Sequence, residues 1–359
     1  MLKDRQAALG AVVGQVLSAE EILEYSAGSD AEYWAARRSA AMMDRSALGR
    51  IELSGVDRLE FLHRMSTNDI RALQPGSGLQ TVLTTPEAKI LELLTVYARP
   101  ESLLCITSPQ NTAKVFSWFQ RNIFFRDKVK PVDRSAQTIQ FSLLGPRSVE
   151  LLRSLGAQNL DALPAFHSRT LTLAGHEVLA ARLPNPAAGG FDLIADAACG
   201  EVLWEAVLAA GNDFGLLPLG FTAYNSLRIE AGQPLYGLEL SEDVNPLEAG
   251  LKSAISFAKG CYTGQEVIAR LDTYQKLKQT LVRLELSRLP ADALPMPLES
   301  GGTEIGKLTS AARLPDGHVQ GLGYVRMKAF QPGAVAKVLS AGETIEATQW
   351  PLAQAEPVR

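Results

Sequence analysis

Polar and apolar positions alternate along Arg50-Ile51-Glu52-Leu53-Ser54 as they do in a half-buried strand, and Gly55 ends the run. Asp57 can cap the helix that follows, in which Leu59, Leu62 and Met65 recur at three-residue spacing and share one face. Beyond the turn at Pro75-Gly76-Ser77-Gly78, three short apolar runs at 79–84, 90–98 and 102–107 predict adjacent strands, each bounded by turn residues. Ser108-Pro109 offers a cap and a preset first residue to a helix whose buried stripe is Val115, Phe116, Phe119 and Ile123. Strands are expected at 128–133 and 137–144, and a short helix after Pro146. A second round covers 168–231, with strands at 169–173, 177–183 and 190–195 and helices near 198–210 and 221–231. Residues 1–40 read as helical turns and loop.

Strand clusters with interposed helices, repeated twice, point to an α+β layer arrangement rather than a doubly wound sheet. Thr280 to Leu286 alternates cleanly and opens the last part of the chain. The Pro-rich patch 289–297 reads as a linker-like loop, and strands at 303–309, 319–326, 334–339 and 343–350 make a small all-β domain. The final handful of residues, through Arg359, reads as a loose tail.

At 359 residues the chain has room for two domains or more. With 46% apolar and 21% charged residues, a large core is expected and wholesale disorder is not. A net charge of −4 argues against nucleic acid or an anionic membrane as a partner of the overall field, so neither is expected as a partner. Cys105, Cys199 and Cys261 are far apart, which describes neither a disulfide scaffold nor a zinc protein and suits a reducing compartment. The first residues carry Asp4 and no long apolar segment, so no signal peptide or membrane span is read there, and a cytoplasmic location is expected. Gly301, Gly306 and Lys307 have the spacing of a nucleotide-binding loop, but Leu308 stands where a magnesium-binding hydroxyl is required. His63, His167, His176 and His318 show no metal-binding spacing, so no metal site is expected.

The densest chemistry lies in Lys259-Gly260-Cys261-Tyr262-Thr263-Gly264-Gln265-Glu266. Gly260 and Gly264 can take positive φ or admit close neighbours, so the segment reads as a shaped loop. From the residues alone Cys261 is a small buried hydrophobe, since cysteine is among the most buried residue types. A neighbouring ammonium such as Lys259 can also raise its thiolate fraction, leaving a transient ligand, a redox thiol or a nucleophile as open roles. Tyr262, Gln265 and Glu266 either orient a ligand or bond the loop to itself.

KGCYTGQE (259–266) resembles the signature of the YgfZ and IBA57 family of folate-binding proteins linked to iron-sulfur cluster assembly and repair. That family is related to the glycine-cleavage T protein, an aminomethyltransferase. The runs GRIELSGVDRLEFLHRMSTNDI (49–70) and GFTAYNSLRIEAGQPLYGLELSEDVNPLEAGL (220–251) resemble both branches. The resemblance implies a T-protein fold, with two ferredoxin-like lobes around a folate channel and a C-terminal β-barrel. It places the lobes at 1–145 and 146–276 and the barrel at 277–359. It implies tetrahydrofolate or a derivative as the bound cofactor, with Asn68, Asp69, Arg228 and Tyr236 among its contacts. Lys259, Gly260, Tyr262, Gly264, Gln265 and Glu266 would complete the site around Cys261 at the channel mouth. Iron-sulfur client or assembly proteins are the implied partners.

Two departures set this chain apart from the T protein. Its acidic pair on a strand is matched here by Glu92-Leu93, and leucine cannot transfer a proton. Its pterin-gripping glutamate, in a Gly-Glu-Asp-Gly-Phe-Glu type run, is matched within Ala187 to Asp192 by Ala188. The sequence thus favours folate-dependent support of iron-sulfur assembly or repair, with an aminomethyltransferase or related one-carbon transferase as the alternative.

Overall fold

Alternation in the sequence becomes alternation in burial wherever a strand has one face on the core. The structure, a computed structural model, describes residues 1–184 and 189–352. Ala187, Ala188 and the C-terminal tail read from the sequence lie outside the described residues.

The chain begins with α1 (Leu2–Ala8), β1 (Val12–Val16), β2 (Ala19–Glu24), α2 (Ser29–Arg38) and β3 (Ala40–Asp44). Residues 12–24 are thus an antiparallel hairpin where the sequence reading expected loop. There follow β4 (Gly49–Ser54), α3 (Arg58–Met65), β5 (Gly78–Thr84), β6 (Ile90–Ala98), β7 (Ser102–Thr107), α4 (Thr112–Asn122) and β8 (Lys130–Asp133). Next come β9 (Thr138–Leu144), α5 (Ser148–Ser154), β10 (Ser168–Leu173), β11 (His176–Arg182), β12 (Gly190–Asp196), α6 (Gly200–Gly211), β13 (Leu216–Pro218), α7 (Phe221–Glu230) and α8 (Gln265–Tyr274). The last part is all strand: β14 (Gln279–Leu286), β15 (Met296–Ser300), β16 (Thr303–Arg313), β17 (Val319–Arg326), β18 (Val335–Ser340) and β19 (Glu343–Pro351).

These strands build an α+β architecture. One sheet has the order β5-β6-β7-β4-β8, a second has the order β10-β11-β12-β9-β3-β13, and β14 to β19 close into a six-stranded barrel. The second sheet recruits β3 from near the start of the chain, through antiparallel pairing with β9 and parallel pairing with β13. β15 falls partly inside the patch read as a linker, its Met296 and Leu298 turned into the barrel core.

Two compact units emerge: Met1–Thr81 with Leu93–Tyr224, and Val82–Glu92 with the described chain from Asn225 to Leu352. In the first, Phe141, Leu193, Leu203 and Trp204 pack the second sheet against its helices. In the second, Val282, Leu284, Leu308, Val325 and Val338 fill the barrel. Among the described residues, no helix is long and apolar enough to cross a membrane.

Local details refine the helix starts. Asp57 precedes α3 without a side-chain capping bond; its carboxylate instead accepts the backbone N–H of Lys128 at 2.8 Å. α4 begins after a short 3-10 turn at Pro109–Asn111, and Val115 and Phe119 are its buried positions. Cys105 is wholly enclosed in β7, where burial pushes its thiol pKa up.

Candidate functional site

Lys259 to Glu266 forms an irregular loop that runs into α8. Gly264 sits at the helix entry with φ of +83°, a left-handed conformation that glycine adopts without steric cost. A Cβ at this position would lie 2.8 Å from the Thr85 carbonyl oxygen and 3.0 Å from Thr84 Oγ1. The loop is therefore seated on the tip of the β5–β6 hairpin, within the second unit. Thr84 Oγ1 fixes the seat by donating to the Thr263 carbonyl at 2.6 Å. Below it, Tyr262, Ile268, Ala88, Leu247 and Ile255 make a small apolar core.

Gly260 is different. A Cβ there would meet nothing within 4 Å, so neither close approach nor positive φ requires glycine at this position. Cys261 next to it is exposed and unbridged, which corrects the buried reading drawn from its residue type. Lys259, by contrast, is only 8% exposed, and its ammonium lies 5.0 Å above the ring of Tyr262. Such a cation over an aromatic face is attractive, more so when desolvated. Burial pushes the Tyr262 phenol up to about 12, so it is a protonated donor at neutral pH. Gln265 Nε2 reaches back to the Lys259 carbonyl at 3.5 Å and Glu266 is exposed in the first turn of α8. The segment thus bonds to itself and turns its sulfur outward.

Arg228 receives a role the sequence did not suggest. It is 1% exposed, and its Nη1 donates to Glu239 Oε2 at 2.9 Å and to the Gln233 carbonyl at 3.2 Å. Nε donates to Asn225 Oδ1 at 2.8 Å and Nη2 to Ser310 Oγ at 2.7 Å. Glu239 Oε1 also accepts from Thr309 at 2.8 Å and Ser310 at 2.5 Å, while the Tyr324 hydroxyl donates to the Glu239 carbonyl at 2.8 Å. Most of the guanidinium's five N–H groups are engaged by the protein itself. These bonds make Arg228 part of a buried clamp between α7 and β16. Tyr236 lies nearby in sequence, half-buried and bridged through its backbone to Leu240.

In the first unit, the turn after α3 carries Asn68 and Asp69. Asn68 Nδ2 donates to the Gln80 carbonyl at 2.8 Å, its N–H to Thr81 Oγ1 at 2.9 Å, and its Oδ1 accepts the Asp69 N–H at 2.9 Å. Asp69 remains 44% exposed, and one carboxylate oxygen lies 3.2 Å from Nδ1 of the buried His63. On β6, alternation turns Glu92 into the interior with no exposed surface, whereas Leu93 lies on the less buried face. The acid absent from position 93 is not restored by its neighbour, which faces the other way.

A carboxylate that the sequence reading passed over stands on β12. Asp192 is 7% exposed, with Ser142 Oγ donating to its Oδ1 at 2.5 Å and the Tyr97 hydroxyl 3.5 Å from its Oδ2. Burial raises its pKa, opposed by the hydrogen bond from Ser142 and the charge of Arg45. The signal was present in Gly189-Gly190-Phe191-Asp192, the end of the run in which Ala188 drew attention. Among the described residues no cluster of three or more His, Cys, Asp or Glu side chains is arranged to hold a metal ion.

Comparison with known proteins gives these positions a context. Residues 2–259 match the family model described as the GCVT N-terminal domain. The chain is 32% identical to a putative chloroplastic transferase of Arabidopsis thaliana, over 93% of this chain and 76% of that protein. It is 31% identical to the aminomethyltransferase of Halothermothrix orenii over 84% of each, and 33% identical to that of Moorella thermoacetica over 79% and 77%. The crystal structure of glycine cleavage system aminomethyltransferase T from Bartonella henselae superposes with a TM-score of 0.88 at 20% identity, covering 100% of this chain and 98% of that one. The fold is that of the T protein.

Proposed function

The chain belongs to the GCVT N-terminal domain family, and from that premise we propose that it binds tetrahydrofolate or a derivative and acts in folate-linked one-carbon transfer. The observation that carries this reading is the likeness to named aminomethyltransferases along more than three quarters of both chains. Bound folate would supply the one-carbon carrier; the chain's task is to hold the pterin and shield it from water. Asp192 suits the first part of that task. A carboxylate has about four lone-pair sites, so bonds from Ser142, Gln140 and Tyr97 leave acceptor capacity for one further donor, such as an N–H of a pterin edge. The other proposed folate contacts are Asn68 and Asp69 in the first unit and, in the second, Tyr236, Lys259, Gly260, Tyr262, Gly264, Gln265 and Glu266. Arg228 is a further proposed folate contact, and its bonds to Gln233 and Glu239 also fix the segment that carries Tyr236.

Calorimetric titration with tetrahydrofolate tests the binding. Asp192→Asn should weaken it about ten-fold to a hundred-fold, the loss of a charge-assisted bond of roughly 1.5–3 kcal/mol. Failure of the unaltered protein to bind tetrahydrofolate would sink the proposal. Mixing the protein with tetrahydrofolate and an aminomethyl-lipoyl carrier tests the transfer, with steady formation of methylene-tetrahydrofolate as the expected outcome.

A second reading is favoured by one observation, the exposed thiol of Cys261 within KGCYTGQE. On it, the folate-bound protein supports iron-sulfur cluster assembly or repair in a reducing compartment such as the cytoplasm, Cys261 meeting client or assembly proteins. Leucine at position 93 agrees with a protein that moves no proton. Cys261→Ser would then abolish iron-sulfur enzyme activities in cells that need the protein, whereas the transfer reading leaves those activities intact.

A further inference from the structure

The segment joining α4 to β8 presents two aromatic rings to solvent on a fixed turn. Phe125 is 93% and Phe124 65% exposed. The Asp127 N–H donates to the Phe124 carbonyl at 2.9 Å, and the Phe124 N–H donates back to Asp127 Oδ2 at 2.7 Å. Arg64 grips both carboxylate oxygens of Asp127, and its guanidinium lies 5.1 Å over the Phe124 ring. Lys128 is pinned to Asp57, beside Val56, itself 74% exposed. The rings therefore stand out because the turn is built to hold them there.

Their surroundings are basic. Residues 121–130 carry Arg121, Arg126, Lys128 and Lys130, all exposed; their one acid, Asp127, is neutralised by Arg64, and the Asp57 carboxylate against the Lys128 N–H is one further acid beside the turn. Arg126 sits 5.2 Å over the Phe125 ring. This collar belongs to a chain whose net charge is −4. The whole molecule's field opposes an anionic surface, and this loop is the local exception to it.

We propose that the Phe124–Lys128 turn docks this protein on an anionic lipid bilayer. Phe124 and Phe125 enter the boundary between headgroups and acyl chains, with Arg126 and Lys128 against lipid phosphates. A fluid surface accommodates projecting rings without a matching pocket, and basic residues around an apolar tip suit it. Exposed lysines around the rings argue against a protein partner, because lysine is depleted in protein interfaces.

The test is flotation of the full-length protein with phosphatidylcholine vesicles, with and without phosphatidylglycerol. Binding is expected only to the anionic vesicles and should weaken several-fold in high salt. Phe124→Ser/Phe125→Ser should weaken it about a hundred-fold, roughly ten-fold for each ring, with an unchanged circular dichroism spectrum. In Phe125→Trp, a blue-shifted emission on vesicle addition would report insertion of that position. Absence of binding to the anionic vesicles overturns the proposal and leaves the rings to a protein partner. So does binding that the double variant retains in full.

Discussion

Arg50 and Arg228 are both enclosed, at 0% and 1% exposure, yet their surroundings neutralise them by opposite means. Arg228 faces a carboxylate, Glu239, which is itself fully buried. Arg50 is bonded to no carboxylate. Its guanidinium is ringed by the carbonyls of Ser46, Leu48, Ser135 and Thr138, at 3.0, 2.6, 2.7 and 3.1 Å, with Thr138 Oγ1 at 2.7 Å from Nε. Burial accordingly lowers its pKa from the ordinary arginine value. One cation is held by a single opposite charge, the other by a cage of dipoles.

The contrast predicts unequal losses. Arg228→Met leaves Glu239 charged and buried without its counter-ion and should destabilise the second unit by about 3–5 kcal/mol, read from the midpoint of its urea transition. Arg50→Met strands only neutral carbonyls and should cost the first unit about 2–3 kcal/mol. Equal losses in the two variants would erase the distinction. The 259–266 loop supplies a finer version of the same test. Gly264→Ala combines a left-handed φ with a contact of 2.8 Å to the Thr85 oxygen and should cost about 1–2 kcal/mol. Gly260→Ala, which meets nothing, should stay within about 0.5 kcal/mol of the unaltered protein. Cys261→Ser should be as mild in stability by thermal unfolding, because the sulfur supports no core, whatever it does to function.

Residues that communicate over short stretches were legible in the sequence. The first sheet, four strands of the second and most of the barrel show in apolar runs between turns, because burial on one face leaves a period of two, whereas β3 and β13 were not read as strands. The 12–24 hairpin escaped because Val12 and Val13 are both largely exposed, so no alternation marks it. β15 was hidden by the prolines around Met296. Within the candidate site, the loop announced itself by composition, and Gly264 behaves as glycine chemistry requires. Arg228 did not, since its partners Glu239 and Ser310 stand 11 and 82 residues further along, and no local pattern encodes such pairing. For Cys261, residue type argued for burial and the resemblance for the channel mouth, and the sulfur is exposed.

The second unit draws Val82–Glu92 from the early part of the chain and everything else from Asn225 onward. On the ribosome this hairpin tip emerges more than a hundred residues before the segments that cover it. At roughly 5–20 residues per second, the delay is on the order of ten seconds. Throughout it Ala88, wholly enclosed in the finished protein, has no Ile268 or Leu247 to rest against. A nascent chain arrested before Leu247 therefore carries a bare apolar tip, and translation speed between Glu92 and Leu247 sets how long that tip stays open to capture by other chains.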